Sequence, residues 1–227
     1  MTARLGLEGR CALVIDGASE RGRACVRRLR SEDMTVAFPA GDDALGEAVA
    51  SETGGSFLRC DHRDRASCDR AVKQALALGG GRLDVLVTNA AMSLPQSLEA
   101  TADAVLCELL EVNLTATFRI ARACFAPMRA QGGGSMIHLG SAAGIRADHQ
   151  AAAYSIAAAG VIAIAELFAA EGAPDGVRSN AVCPLDDGSD VASLVVWLAC
   201  DQAAQLSGAT LRLDAAAGAA MVLDTRA

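Results

Sequence analysis

Two hydroxyl groups in the second half of the chain could take part in proton transfer. Ser141 follows an apolar run typical of a strand, and Tyr154, the only tyrosine of the protein, comes thirteen residues later. A phenol placed against a reacting oxygen can act as a general acid or base, and a serine hydroxyl can orient the same oxygen. The chain has a single lysine, Lys73, so any mechanism that needs a second lysine is excluded.

A second candidate site is a turn near the amino terminus that contains two glycines. Residues 16–22 read Asp-Gly-Ala-Ser-Glu-Arg-Gly, between an apolar run at Cys11–Ile15 and a helical pattern at Arg23–Ser31. In such a turn the small residues let the backbone approach a phosphate, and the helix N-terminus offers free N–H groups. Here Asp16 and Glu20 add negative charge, and a carboxylate about 4 Å from a phosphate would cost roughly 1 to 4 kcal/mol.

Composition restricts the class of protein. The chain has 227 residues, of which 52% are hydrophobic but only 3% aromatic, and its net charge is −7. These values exclude a disordered acidic chain and argue against general nucleic-acid binding, which needs a basic surface. The eight cysteines form no Cys-x-x-Cys pair and stand at no zinc-ligand spacing with the three histidines, so no metal site is expected. Since the sequence shows neither a signal-peptide pattern nor a membrane-spanning run, we expect a cytoplasmic protein without membrane contact.

The elements that must position these side chains alternate along the chain. Seven apolar runs are typical of strands covered on both faces: Cys11–Ile15, Thr35–Phe38, Ser56–Cys60, Leu83–Thr88, Ser135–Gly140, Val177–Val182 and Thr210–Leu213. Helical patterns separate these runs, the longest at Ala102–Gln131 and Ala151–Glu171. The order predicts an α/β fold with a doubly wound parallel sheet of seven strands, helices on both faces, and a single domain over residues 1–227.

The motifs in this order resemble the short-chain dehydrogenase/reductase family over nearly the whole chain. The blocks that carry the resemblance are the turn at residues 16–22, Asn89-Ala90-Ala91, Asn113, Ser141, Tyr154 and the run Ser179–Pro184. The resemblance implies a Rossmann-type sheet that binds NAD(H) or NADP(H). It also implies a Ser–Tyr–Lys group, supported by an Asn, that couples proton transfer to hydride transfer.

One departure from the family affects the chemistry directly. The family's lysine lies four residues after its tyrosine, on the same helix face, and its charge makes phenolate available. Ala158 stands at that position here. A tyrosine without such a charge has a pKa near ~10, so only about one in a thousand is phenolate at neutral pH. We therefore expect Asn113, Ser141 and Tyr154 to be inherited residues that serve packing and hydrogen bonding.

Three further departures concern the cofactor and the substrate. The glycine turn is about one residue shorter than the family's pattern, and we expect Arg21 to pair with Asp16 and fill the groove rather than to bind phosphate. The family contacts the ribose through a residue that directly follows the second strand. In this chain no charged residue follows that strand until Asp42. After Pro184 only five residues precede the next helix, so the family's substrate lid is absent. We therefore interpret the residues that match cofactor contacts as non-functional remnants, and expect this chain to bind no cofactor: Gly17, Gly22, Asp61 and Asn89.

The main functional hypothesis is a non-catalytic subunit that assembles with an active relative, in a heterotetramer whose active subunit holds NAD or NADP. Related systems in the family pair active and inactive subunits, and the resemblance suggests as one candidate the heteromeric dehydrogenase for a hydroxybenzyl-succinyl-CoA in anaerobic toluene degradation. Acyl-CoA or acyl-carrier substrates are common in the part of the family that this chain resembles, so the resemblance implies an acyl-CoA-type substrate. Two alternatives stay open. One is an active NAD(P)H-dependent ketoreductase with an atypical site that lacks lysine. The other is a stand-alone ligand-binding or regulatory protein.

Overall fold

Eight strands form one sheet in the computed structural model, which describes residues 5–89, 92–185 and 190–213 and the backbone of 222–224. In chain order they are β1 (Cys11–Val14), β2 (Thr35–Ala40), β3 (Ser56–Arg59), β4 (Val85–Asn89), β5 (Gly134–Leu139), β6 (Val177–Pro184), β7 (Thr210–Leu213) and β8 (Val222–Asp224). Their spatial order is β3-β2-β1-β4-β5-β6-β7-β8. The predicted parallel sheet of seven strands is confirmed, and the short β8 adds an antiparallel pairing with β7.

Helices connect the parallel strands and cover both faces of the sheet. They are α1 (Glu20–Arg30), α2 (Asp43–Thr53), α3 (Arg65–Leu78), α4 (Asp103–Leu110), α5 (Ala116–Ala130), α6 (Ala142–Ile145), α7 (Ala152–Gly172) and α8 (Val191–Ala199). A single π-helical turn, Glu111–Thr115, joins α4 to α5. Turns of this kind are frequent at functional sites, and neither this turn nor the short α6 was predicted from the sequence.

Short polar side chains begin most of these helices. Ser19, Asp42, Asp64 and Asp190 are the N-caps of α1, α2, α3 and α8, and their side-chain oxygens accept hydrogen bonds from the first turn of each helix. Asp42 is the first charged residue after β2, and its carboxylate accepts a hydrogen bond from the Leu45 N–H at 2.8 Å. The first charge beyond β2 thus serves as a helix cap.

The core consists mainly of small and branched aliphatic side chains, as the low aromatic content requires. On one face of the sheet, Val26 of α1 and Val195 of α8 belong to one buried apolar cluster. On the other face, α3, α5 and α7 contribute to a second cluster, in which the rings of Phe125 and Phe168 meet edge to face at 5.1 Å. Both faces of the sheet are therefore covered, which is why its strands are apolar without alternation.

One described segment, Ala152–Asp175, is long and apolar enough to cross a bilayer by length and composition alone. Half of its most apolar window is buried inside the protein. The buried face includes Ile164, Ala165 and Phe168, which belong to the apolar clusters beside the sheet. A core helix passes the same test, and the helix itself was predicted from the sequence at Ala151–Glu171.

The strand order reverses direction next to β1. Because β1 lies between β2 and β4, the chain leaves the carboxyl ends of β1 and β4 toward opposite sides of the sheet. The residues at these ends, Asp16 and Asn89, therefore border a crevice. This is the place where open parallel sheets bind their ligands.

His138 makes the stability of this core dependent on pH. It is fully buried on β5, its Nδ1 lies 3.0 Å from Thr88 Oγ1, and burial lowers its pKa to about 4. An unfolded histidine has a pKa near ~6.5, so between these values the unfolded state binds a proton that the folded state does not. Stability therefore falls on acidification, and this residue should remove about 2 kcal/mol of unfolding free energy between about pH 7 and pH 5.

Urea unfolding at the two pH values would measure this effect. We expect His138→Gln to reduce the loss of unfolding free energy between the two pH values by about 2 kcal/mol. This difference does not depend on how the substitution changes stability at neutral pH. The matched control is His149→Gln, at an exposed position, which should keep the pH dependence of the natural chain. If the unfolding free energy of all three proteins changed equally with pH, His138 would not be the source of the effect.

Candidate functional site

Ser141 and Tyr154 line one cavity of about 840 Å³ at the carboxyl ends of β5 and β6. Ser141 comes shortly after β5 and caps α6, and its Oγ accepts a hydrogen bond from the Ala143 N–H at 3.2 Å. Tyr154 lies half-buried in the first turn of α7. The structure therefore brings together the two hydroxyl groups that the sequence singled out.

Ala158 lies one helical turn beyond Tyr154 and is only 4% exposed. The short α6 packs directly on it, since a Cβ added at Gly144 would lie 2.6 Å from the Ala158 carbonyl carbon. The described residues that line the cavity include no lysine. The basic side chains of the cavity are those of Arg21, Arg146, His149 and Arg212.

Asn113 is 1% exposed and lies in the π-helical turn. Its Oδ1 accepts from the Met92 N–H at 3.1 Å, and its Nδ2 donates to the Met92 carbonyl at 2.6 Å. The amide thus ties the segment after β4 to the helix that carries it. It also lines a cavity of about 320 Å³ together with Asp16 and Asn89.

The turn after β1 is held by a small polar network. Asn89 Nδ2 donates to Ser19 Oγ at 3.0 Å and to Asp16 Oδ2 at 3.3 Å, and Ser19 Oγ donates to the Asp16 carbonyl at 2.7 Å. These contacts do not include the ion pair between Arg21 and Asp16 that we expected. Asp16 itself has a φ of 55°, in the left-handed region that Asn and Asp tolerate better than most other residues.

Gly17 and Gly22 are required by the close packing of this turn. A Cβ at Gly22 would lie 2.1 Å from the Asp16 carbonyl oxygen, and a Cβ at Gly17 would lie 2.4 Å from Cβ of Phe38. Both distances are far below normal contact. The two glycines therefore have a packing role that is independent of any ligand.

Asp16 contributes the main unfavourable charge in the crevice. Burial raises the pKa of its carboxyl group, and the charge of His62 and the hydrogen bond from Ser19 oppose that shift only in part. Its negative form is therefore destabilised by the fold and would also repel a phosphate in this turn.

A third cavity, of about 800 Å³, opens at the carboxyl ends of β2 and β3 and is lined by Gly41, Cys60, Asp61 and His62. Asp61 is exposed, and its Oδ1 accepts from the Arg63 N–H at 2.9 Å, which shapes the turn before α3. His62 lines this cavity and also the one that holds Asp16 and Asn89. Sequence reasoning missed His62, because its importance comes from elements that meet only in the folded chain.

The polar atoms of the crevice fit a nucleotide ligand. Asn89 Oδ1 is buried and has no hydrogen-bond partner among the described residues. An unsatisfied buried acceptor costs about 1 to 3 kcal/mol, which an N–H donor of a bound ligand would offset. Together with the three cavities along the carboxyl edge of the sheet, this favours a dinucleotide across the crevice, with Asp16 as the charge that opposes it.

Comparison with known proteins identifies the class. The family model described as short chain dehydrogenase matches residues 10–192. The chain is 36% identical over 188 residues to a protein named probable galactose dehydrogenase from Rhizobium meliloti, covering 78% of this chain and 72% of that protein. It is 29% identical to D-threitol dehydrogenase of Mycolicibacterium smegmatis, covering 92% of each. The crystal structure of a short chain dehydrogenase from Mycobacterium smegmatis superposes with a TM-score of 0.87 at 27% identity, covering 93% of this chain and 94% of that one.

The chain therefore belongs to the short-chain dehydrogenase/reductase family. One expectation is thereby corrected: the prediction that this chain binds no cofactor is wrong. Its family consists of dehydrogenases and reductases whose own sheet holds NAD(H) or NADP(H), and the relatives that match 92% of the chain include a dehydrogenase. The departures at Asp16 and after β2 therefore do not identify a chain without a cofactor. The interpretation of Gly17, Gly22, Asp61 and Asn89 as remnants stays an untested prediction.

We expect Asp16→Asn to stabilise the protein at neutral pH and to tighten the binding of NADH or NADPH. The neutral amide removes a buried charge and still accepts a hydrogen bond, and Asn tolerates the left-handed backbone. An acid whose pKa is raised by folding destabilises the fold increasingly as the pH rises from its unfolded-state pKa to its folded-state pKa, so the gain should disappear below the unfolded-state pKa. Thermal melting at two pH values and fluorescence titration with each dinucleotide measure the two effects.

The matched control is Asp33→Asn, because Asp33 also has a left-handed backbone, with a φ of 60°, but is exposed. Asp33→Asn should change neither the melting temperature nor the affinity for either dinucleotide. A lower melting temperature of Asp16→Asn at neutral pH would show that the carboxylate stabilises the turn.

Proposed function

We propose that the chain is an NAD(P)H-dependent oxidoreductase that reduces a carbonyl group to an alcohol, with an atypical site that lacks the family's lysine. The observation that carries the proposal is the shared cavity of Ser141 and Tyr154 at the carboxyl edge of the sheet. Family membership supports the oxidoreductase class, and the relatives include both dehydrogenases and a 3-oxoacyl-[acyl-carrier-protein] reductase of Escherichia coli, 26% identical over 92% of this chain and 98% of that protein.

The missing lysine affects the two directions of such a reaction unequally. Oxidation of an alcohol needs a base, so a tyrosine must be present as phenolate. Reduction of a carbonyl needs an acid, and a tyrosine is already in the acid form at neutral pH. Because Ala158 supplies no charge to favour phenolate, the site is better suited to reduction.

In this proposal each hydroxyl has one role. A dinucleotide held in the crevice beside Asn89 would supply the hydride. The Tyr154 hydroxyl donates a proton to the oxygen of the carbonyl group, and water then reprotonates the tyrosine. Ser141 Oγ, which accepts from the Ala143 N–H, donates its own proton in a hydrogen bond that orients the same oxygen.

The charge of the cavity favours an anionic substrate. Three arginines line it, Arg21, Arg146 and Arg212, against one carboxylate among the described lining residues, that of Asp148. Arginine binds phosphate and carboxylate groups through paired hydrogen bonds. We therefore propose a carbonyl substrate with a negatively charged part, which an acyl-CoA thioester satisfies. The eight cysteines are all free, which agrees with a reduced, cytoplasmic setting for this chemistry.

We expect the isolated chain to oxidise NADH or NADPH in the presence of 3-oxoacyl-CoA thioesters, with little reverse activity at neutral pH. Tyr154→Phe should lower kcat by about 10² to 10⁴ and leave dinucleotide binding unchanged, because only the proton donor is lost. Ser31→Ala removes an exposed hydroxyl at the end of α1 and is the control, for which no change is expected. Steady-state kinetics and fluorescence titration separate the two effects.

A second candidate is a non-catalytic subunit that supports an active relative in a heterotetramer. Two observations favour it, the buried Ala158 at the lysine position and an apolar stripe on the exposed face of α7. Ile156 is 53% exposed and Leu167 is 46% exposed, and exposed Ala159 and Ala163 lie between them at helical spacing. A stripe of this kind suits a helix-to-helix interface. That such an assembly acts on the hydroxybenzyl-succinyl-CoA of toluene degradation stays a prediction.

Assembly can be measured by light scattering of the chain alone and after co-expression with an active relative. We expect Leu167→Glu to shift the oligomer toward smaller species, because a charge would enter the interface. The matched control is Leu78→Glu, which changes a leucine that is 45% exposed on α3. This variant should leave the size of the oligomer unchanged. Turnover by the isolated chain would reject the second candidate, whereas activity only in the mixed complex, unchanged by Tyr154→Phe in this chain, would reject the first.

A further inference from the structure

We propose that Cys60, His62 and Cys68 form a binding site for a thiophilic divalent cation, with zinc as the best fit. One ligand atom of each residue lies within 4.8 Å of the others. This combination of two thiols and an imidazole is a common zinc donor set. The proposal corrects the sequence-based expectation that the chain has no metal site.

The distance between the two sulfur atoms fits a metal better than a disulfide. Cys60 Sγ and Cys68 Sγ are 4.0 Å apart. Two thiolates bound to one tetrahedral zinc at about 2.3 Å are about 3.8 Å from each other, whereas a disulfide requires about 2 Å. The sulfur atoms therefore need to move only slightly to bind zinc.

The imidazole supplies an independent observation. His62 Nδ1 is buried and has no hydrogen-bond partner among the described residues. A buried ring nitrogen without a partner is unfavourable, and coordination of a cation would satisfy it. The contacts of Cys68 Sγ with the carbonyl oxygens of Asp61 and His62, at 3.8 and 3.6 Å, are weak thiol hydrogen bonds. They would be given up when the thiol loses its proton to the metal.

The fold explains why these three residues meet. Cys60 directly follows β3 and continues its pairing with β2, because its N–H donates to the Ala40 carbonyl at 2.9 Å. The chain then reverses through a short turn that contains His62, and Cys68 lies in the first turn of α3. The ligands thus come from a strand end, a turn and a helix, with one and five residues between them. No standard spacing motif describes that arrangement.

The surroundings suit a site with one open position. Cys60 and Cys68 are 1% and 3% exposed, which shields the thiolates, while the cavity of about 800 Å³ reaches Cys60, Asp61 and His62. Three protein ligands and a water in that cavity would complete a tetrahedral zinc. The two sulfur ligands bind as thiolates and any protons that they still carry go to solvent, so no oxidant or reductant is needed.

The test uses the full chain carrying Cys107→Ser, which removes the exposed cysteine. After reduction and removal of metal, Co²⁺ is added as a spectroscopic substitute and then displaced by Zn²⁺. We expect one Co²⁺ per chain, with a thiolate-to-cobalt charge-transfer band and the intense visible bands of tetrahedral cobalt. Cys60→Ser, Cys68→Ser and His62→Gln should each weaken binding by roughly tenfold or more, since they remove a ligand.

Cys25→Ser is the matched control, because Cys25 is buried on α1 outside the cluster and should leave the spectrum unchanged. If the cysteine variants fail to fold, His62→Gln at a half-buried position still decides the question, as does the rise in melting temperature of the Cys107→Ser protein with Zn²⁺. Absence of the cobalt bands, or full binding in His62→Gln, would overturn the proposal. So would a Cys60–Cys68 disulfide formed with peroxide in a protein that binds no cation when reduced.

Discussion

Parallel pairing of β1 with both β2 and β4 is the constraint on which the rest of the structure depends. Parallel strands present their carboxyl ends at a single edge, so Asp16, Asn89 and Ser141 reach that edge although they are far apart in sequence. The reversal of strand order beside β1 separates the following helices and opens the crevice. The tight turn after β1 is part of this constraint, because α1 can approach the sheet only where Gly22 has no side chain.

The lysine position shows how one substitution can change the balance of a reaction without removing its acid. A lysine one turn beyond Tyr154 would make phenolate available, and Ala158 cannot. The cavity nevertheless carries positive charge from Arg146 and other basic side chains. That charge is placed to attract an anionic substrate, whereas the proton donor needs no help in the reductive direction. Loss of the lysine alone therefore does not identify an inactive chain.

The sequence predicted the features that depend on local patterns. Apolar runs such as Leu83–Thr88 indicated the seven parallel strands, and the spacing from Ser141 to Tyr154 indicated a shared site. The sequence did not predict β8, which depends on pairing with β7, or the π-helical turn that aims Asn113 at Met92. It also missed the cluster at Cys60, His62 and Cys68, because its members come from three different elements and no motif spacing joins them.

The unsatisfied polar atoms distinguish the two candidate functions. A subunit that served only as a support would gain from an apolar or fully hydrogen-bonded crevice, since each buried group without a partner costs about 1 to 3 kcal/mol. Instead Asn89 Oδ1 and His62 Nδ1 both lack partners among the described residues, and both residues line the cavity at the strand-order reversal. A protein tolerates such groups most readily where a ligand satisfies them. The unsatisfied Asn89 Oδ1 therefore favours a crevice that binds a ligand, even though the proton-transfer site of this chain has lost the lysine.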